Sequence, residues 1–453
     1  MVEGGYTGKI ADYVLGFDYG DIPREVVEHT KIVILDTLGA MLAGSNSAYP
    51  ASRIIIEHVM AQGGKEEATV VGRRLRTTAE YAALANGTLA YLCDIEPYHV
   101  KAVLHETAVV LPAALAVAER EGASGKDVIG AFVLGLDVET RFSYAVSPSG
   151  MYARGFHPTV VAGCVGSAVA AGKLLGLDGG EFANALGLAA AQSSGLLAWE
   201  SDVTEMSRPF GCGVAARNGV SAALLAGRGF GGPEVLEGKY TVFDAFSGED
   251  HRVELLDGLG ERFEVMNQTF KRYSSCAFTH PGLDALLKVL DENGVEAGEI
   301  EGITVRFPAS GAKLIDRSEL KSHNVQYVLS VAAHKGRVTV EDILFDQRDP
   351  AIWDLADRVE LVHDEGLDRY FPATMPTVVE VRTRSGEVHE GRVDSARGTP
   401  ENPMTHAEVR EKYRWLAASA VDEGRAMEIE VTVDRLEGLA DVEGLTELLR
   451  FQR

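Results

Sequence analysis

The chain has 453 residues, 46% hydrophobic and 24% charged, and carries a formal net charge of −24. Such a chain is long enough for two or three globular domains, and its negative field argues against nucleic acid or an anionic membrane as partner. Four dispersed cysteines without a C-x-x-C argue against a disulfide framework or a structural zinc. The N-terminus has no signal-peptide pattern and no apolar run reaches the roughly 20 residues of a membrane span, so a soluble, cytoplasmic protein is expected.

The first 250 or so residues read as helix after helix. "IPREVVEHTKIVILDTLGAMLAG" is expected to have Pro23 just inside its start and closes on glycine, the usual asymmetry of helix ends. "SGKDVIGAFVLGLDVETRFSYAV" offers Ser124 as N-cap ahead of apolar residues at helical spacing. "HPTVVAGCVGSAVAAGKLLGL" and "GGEFANALGLAAAQSSGLLAW" are rich in small residues, and their length and alanine content favour helices packed closely together. The texture changes near Gly258. "EIEGITVRFPA" alternates Ile303, Val305 and Phe307 as a strand does, and "TVVEVRTRSGEVHEGRV" reads as a hairpin turning at Ser385-Gly386. "SHNVQYVLSVAAHKG" lies between them as a helix ending at Gly336. "RGTPENPM" reads as a linker, and the tail after it as mainly helical, with "AMEIEVTV" a possible strand. The expected division is a helical domain over 1–264, an α+β domain over 265–398 and a C-terminal segment over 399–453.

Chemistry concentrates at segment edges. Asp94, Glu96, His99, Lys101, His105 and Glu106 crowd the approach to an apolar helix, where a rigid scaffold can orient ionisable groups. Arg154 and His157 precede a small-residue helix whose N-terminus attracts anions and lowers the pKa of a nearby histidine. Arg208, Lys271 and Arg272 add further basic groups to an otherwise acidic chain. "FGCGVAARNG" contains a loose G-x-G-x-x-A, but no hydrophobic strand leads into it, so close helix packing is the better reading than a nucleotide loop. No H-E-x-x-H and no G-x-S-x-G occurs, and Cys276 stands as a lone thiol in "KRYSSCAFTHPG". The pattern fits a pocket for a di- or tricarboxylate, with acid–base chemistry and neither metal nor cofactor.

Several stretches, in order, resemble the MmgE/PrpD family, which includes 2-methylcitrate dehydratase, cis-aconitate decarboxylase and iminodisuccinate epimerase. They include "ILDTLGAMLAGS", "YARGFHPTVVAGCVGSAVAAGKLLGL", "SRPFGCGVAARNGVSAALLAGRGFGGPEVLEG", "FKRYSSCAFTHPGLDA" and "ENPMTHAEVREKY". The resemblance implies a mainly α fold: a large all-helical domain, a smaller α+β lid, and a C-terminal segment returning to the helices. It also implies a homodimer and a carboxylated substrate held between helical domain and lid. Asp94, His105, His157 and Lys271 are the implied catalytic set, with Tyr98, Lys101, Arg154, Arg208, Arg272 and Cys276 as candidates for substrate contact. Glu96-Pro97-Tyr98 replaces an acidic-acidic-threonine run, Arg208 stands where lysine is usual, and "PFGCG" lacks a histidine common there. Proton abstraction α to a carboxylate followed by loss of water is the first expectation, with His157 or His105 as base. Epimerisation, decarboxylation and carboxylate binding without turnover are the alternatives.

Overall fold

The computed structural model describes residues 4–345, 348–371 and 374–451, so the outermost residues of the first and last expected segments lie outside it. The longer elements of the helical part are α1 (Arg24–Gly44), α2 (Ala79–Leu92), α3 (Thr107–Glu121), α4 (Gly125–Val146), α5 (Pro158–Leu174), α6 (Gly179–Ala191) and α7 (Ser207–Ala226). Their ends follow from local chemistry. Pro23 occupies the cap of α1, one residue before the helix proper. Ser124 accepts from the Asp127 N–H and Asp127 answers onto the Ser124 N–H, a complete capping box for α4. His157 sits at the cap of α5 with Pro158 behind it. The "SSGLLAW" that follows α6 leaves the helix and ends in a short 3-10 turn, Leu197–Ser201.

Small residues let these helices touch. A β-carbon on Gly213 of α7 would fall 2.2 Å from the Leu84 carbonyl of α2, and one on Gly219 would fall 2.6 Å from the Ala168 amide of α5. The glycines of "FGCGVAARNG" therefore serve backbone-to-backbone packing inside a continuous helix.

The lid begins with α8 (His280–Asn293), β1 (Ile300–Pro308) and α9 (Val325–Lys335), followed by β2 (Val359–Asp364), β3 (Thr377–Thr383) and β4 (Val388–Val393). The sheet order is β2-β1-β3-β4: β1 runs parallel to β2 and antiparallel to β3, and β3–β4 is the expected hairpin. Ile303, Val305 and Phe307 of β1 are all buried, as the alternation requires. Gly336, left-handed at φ 71°, closes α9. One apolar core runs through the helices and gathers the tail, while a second fills the lid from Tyr273 to Val381.

The tail forms α10 (His406–Ala417) and α11 (Glu423–Asp434), and α10 lies against α1. "AMEIEVTV" is thus helix and not strand. Asp422 caps α11 through the Arg425 N–H, and Glu430 binds Arg414 at 2.8 Å and Arg410 at 3.2 Å on α10. Tertiary pairing along a helical face outweighs the local alternation. Lys412 of α10 has a direct bearing on the site. Its ammonium donates to Asp36 on α1 at 2.6 Å and to the Ile95 carbonyl at 2.7 Å, fixing the turn that leaves α2.

Candidate active site

That turn carries the first candidate. Asp94 follows the C-cap of α2 with φ 49°, a left-handed conformation that a non-glycine residue holds only when its surroundings insist. Its surroundings are two buried cations. Lys271, at the entrance to the lid, donates to the Asp94 carboxylate and, at 3.1 Å, to its backbone carbonyl. Arg208, near the start of α7, brings Nη1 to 3.2 Å from Oδ2, an ion pair whose angle leaves both atoms without a hydrogen bond. Burial alone would push the Asp94 carboxyl up, but Arg208 and Lys271 outweigh it and hold the group well below the usual carboxylate range.

His105 stands beside this cluster, and Glu96 rather than Asp94 orients it. Nδ1 lies 2.6 Å from Glu96 Oε1, and the imidazole stacks on Tyr91 with centroids 4.3 Å apart and near Tyr98 at 5.8 Å. Burial pushes Glu96 up to about 7, with Asp94 adding to the rise and Lys271 opposing it. Burial, then Lys271, holds His105 well below the usual imidazole range. This dyad has two useful forms. A neutral Glu96 donates to Nδ1 and leaves Nε2–H as an acid; an ionised Glu96 accepts from Nδ1–H and leaves Nε2 as a base.

A cavity of about 310 Å³ meets this group at Arg208, with His157 and Trp199 also in its lining. Burial, then His105 and Arg208, pushes His157 down to about 3, leaving it neutral near pH 7. The cavity also exposes an unmet demand for anions. Trp199 Nε1 and Arg208 Nε and Nη1 are buried donors without a hydrogen-bond partner among the described residues. Native proteins rarely leave such donors unmatched except where a ligand or water completes them. The guanidinium is further held over the Tyr91 ring at 4.6 Å and the Trp199 ring at 5.7 Å.

Not every candidate comes here. Lys101 is exposed on its turn. Arg154 is exposed too and spends Nη1 on the Asp244 carbonyl at 3.1 Å. Arg272 points away toward Asp284, 3.6 Å off, and lines a wider, more open groove of about 850 Å³ on the lid beside α8 and α9 that contains no histidine. Within this single chain those three are not part of the cluster. Tyr98 is, with the Lys271 ammonium 5.4 Å from its ring centre. Cys276 is buried and burial pushes its thiol up to about 12, which suits an inert side chain rather than a nucleophile.

Asp94, Glu96 and His105 offer ligand atoms within 4.8 Å of one another, close enough to hold a cation. Lys271 and Arg208 already bring two positive charges to Asp94, which argues against a third there. Glu96, which stood in the polar run without an assigned role, reaches the site, and so do Tyr91, Trp199, Glu205, Ser322 and His323, which had no signal because they come from a helix interior or from loops without pattern.

Residues 8–254 match the MmgE/PrpD N-terminal domain and residues 273–438 match the MmgE/PrpD C-terminal domain. The chain belongs to the MmgE/PrpD family. Its similarity to individual members runs end to end. The "cis-aconitate decarboxylase-like protein oryM" of Aspergillus oryzae is 29% identical over 480 residues, covering 99% of this chain and 98% of that protein. The cis-aconitate decarboxylase of Aspergillus terreus is 29% identical over 497 residues, with 99% and 96% covered. The human cis-aconitate decarboxylase is 27% identical over 469 residues, with 98% and 94% covered. As a MmgE/PrpD member the chain has the large helical part and the smaller mixed-sheet lid that its sequence implied. Among the described residues no helix is long and apolar enough to cross a membrane.

Proposed function

We propose that this MmgE/PrpD chain is a carbon–carbon lyase that decarboxylates a tricarboxylate of the cis-aconitate class. The observation that carries the reading is the set of unmatched buried donors on Trp199 and Arg208, beside Lys271, around a cavity lined by a neutral histidine. Such a site draws in carboxylates and keeps imidazoles ready to handle a proton. The relatives that carry a decarboxylase name favour this outcome over the loss of water expected from sequence.

In this mechanism Arg208, Lys271 and the Trp199 N–H hold the carboxylates. The bond between one carboxylate carbon and the CH₂ group breaks and CO₂ leaves. The released pair forms a new C=C bond, and the former π pair takes a proton at the other alkene carbon. One proton is consumed per turnover: His105 Nε2–H gives it up as neutral Glu96 passes its own proton to Nδ1, which leaves Glu96 ionised until solvent returns the proton. Arg208 and Lys271 hold the charge that spreads over the remaining carboxylates as CO₂ departs.

Proton NMR of the purified protein with cis-aconitate tests this. New methylene signals of the decarboxylated diacid, appearing with release of CO₂, are expected. Turnover of 2-methylcitrate or another hydroxy acid to an alkene, with cis-aconitate untouched, would restore the dehydratase reading.

A further inference from the structure

One more histidine reaches this cavity's neighbourhood, from the lid. His323 ends the short turn Lys321–His323 just before α9, and its ring centre stands 5.4 Å from that of Trp199, which also lies 5.7 Å from His157. His323 Nδ1 is 2.8 Å from Ser322 Oγ, and that oxygen is 2.6 Å from Glu205 Oε2. The Ser322 N–H donates to the other Glu205 oxygen at 3.2 Å. Glu205 is therefore gripped through both oxygens by one lid residue, and it holds φ 55° to make the contact.

Proton counting fixes the rest of the chain. A serine hydroxyl has a single proton, and a carboxylate, here also paired with Arg208 at 3.2 Å, only accepts. The Ser322 proton goes to Glu205, so the Ser322 oxygen accepts from His323. Nδ1 then carries the imidazole proton. Nε2 is left with its lone pair, and it has no hydrogen-bond partner among the described residues.

We propose that His323 is a further histidine of the substrate pocket, held as its Nδ1–H tautomer by Ser322 and Glu205, whose Nε2 takes up a proton as a tricarboxylate enters and then holds a carboxylate oxygen with a hydrogen bond from that N–H. The substrate class rests on the decarboxylase reading above; the tautomer does not. Nε2 gains one proton from solvent, and no bond in the substrate is made or broken by this residue. The groups facing the ring explain why the proton waits for the ligand. Burial opposes it, as do Arg208, Lys271 and His105, while Asp94 favours it, and the balance holds the free imidazole at about 3. An entering trianion adds three negative charges beside Nε2 and reverses that balance.

Long-range proton–nitrogen NMR on protein labelled at the histidine rings tests the assignment, with the His323 signal identified by its loss in His323→Asn. Asparagine is chosen because its amide keeps a donor where Nδ1–H was, so the link to Ser322 survives while Nε2 is removed. An Nδ1–H pattern is expected in the free protein, reverting to Nε2–H in Ser322→Ala. Addition of cis-aconitate is expected to move the Nε2 resonance of His323 to the imidazolium position. In the Asn variant kcat/KM is expected to fall by about 10- to 100-fold, the worth of one charged hydrogen bond to the substrate. An Nε2–H tautomer for His323 in the free protein overturns the proposal; if the Asn variant does not fold, the signal is identified by its change in Ser322→Ala. So does an unmoved His323 resonance when that of His157 responds to ligand, or an Asn variant with unimpaired turnover. A shifted Nε2 signal without any decarboxylation would sink the decarboxylase reading and uphold His323.

Discussion

Lys271 holds Asp94 twice with one ammonium, at the side-chain carboxylate and, at 3.1 Å, at the backbone carbonyl, and it does so from the first residues of the lid. One buried contact thus fixes a left-handed turn of the helical part, neutralises its carboxylate and seats the lid over it. Removing either partner leaves a buried charge short of compensation, at a cost of about 3–5 kcal/mol. Lys271→Met and Asp94→Asn are each expected to lower unfolding free energy by that order and to cut kcat/KM by about 10³. In urea denaturation the double variant is expected to lose less than the sum, with a coupling of about 0.5–3 kcal/mol. Strict additivity would mean that the contact is incidental.

Substrate binding is expected to draw protons out of solution. His157 and His323 are pushed down to about 3 and His105 well below its usual range, so all three are neutral at pH 7 in the free protein. A bound trianion favours the charged imidazole and raises these values, so protons are taken up and affinity weakens as pH rises. Calorimetric titration with propane-1,2,3-tricarboxylate, an unreactive stand-in, in buffers of different ionisation enthalpy reads the number directly. Release of protons, or none exchanged, contradicts the charging of these histidines by a bound trianion.

Close helix packing gives a stability prediction free of catalysis. Gly213→Ala places a β-carbon 2.2 Å from the Leu84 carbonyl, so two helices must part. A loss of about 1–3 kcal/mol or more is expected, seen as a lower Tm. Gly130→Ala, inside α4 with nothing within 4 Å of the new carbon, is the control and is expected to gain about 0.5–1 kcal/mol. Equal effects at the two sites would remove the packing argument.

Helix ends and the strands of the lid were legible because their causes are local: Ser124 with Asp127, Gly336 in the left-handed region, and the alternation at 303–307. The α11 segment was not. Met427, Ile429, Val431 and Val433 alternate like a strand, while the buried set is Ala426, Ile429, Glu430 and Val433, and its decisive partners, Arg410 and Arg414, lie on another helix. The site divides the same way. Asp94, His105, His157, Arg208, Lys271 and Tyr98 stood in recognisable stretches and do meet. Lys101, Arg154 and Arg272 have the right charge in the same stretches but point outward, and neighbourhood in sequence does not say which way a side chain faces. Trp199, Glu205 and His323 come from turns whose spacing carries no period, so only the folded chain brings them near the others.

The Glu96–His105 dyad makes the chemistry readable from pH. Burial raises Glu96 to about 7, so its carboxyl is neutral below that pH and ionised above it. The neutral form hands a proton to His105 Nδ1 and leaves Nε2–H as the acid that decarboxylation consumes; the ionised form leaves Nε2 as a base. For a decarboxylase kcat/KM is therefore expected to fall as pH rises through about 7, by up to tenfold per unit. Glu96→Gln removes this titration: an amide keeps a hydrogen bond to Nδ1 but has no proton to release to it, so its profile is expected to be flat there, at a rate about 100-fold or more below the low-pH wild type. A wild-type profile that instead rises through the same range would assign the dyad to proton abstraction, and with it the loss of water or an epimerisation.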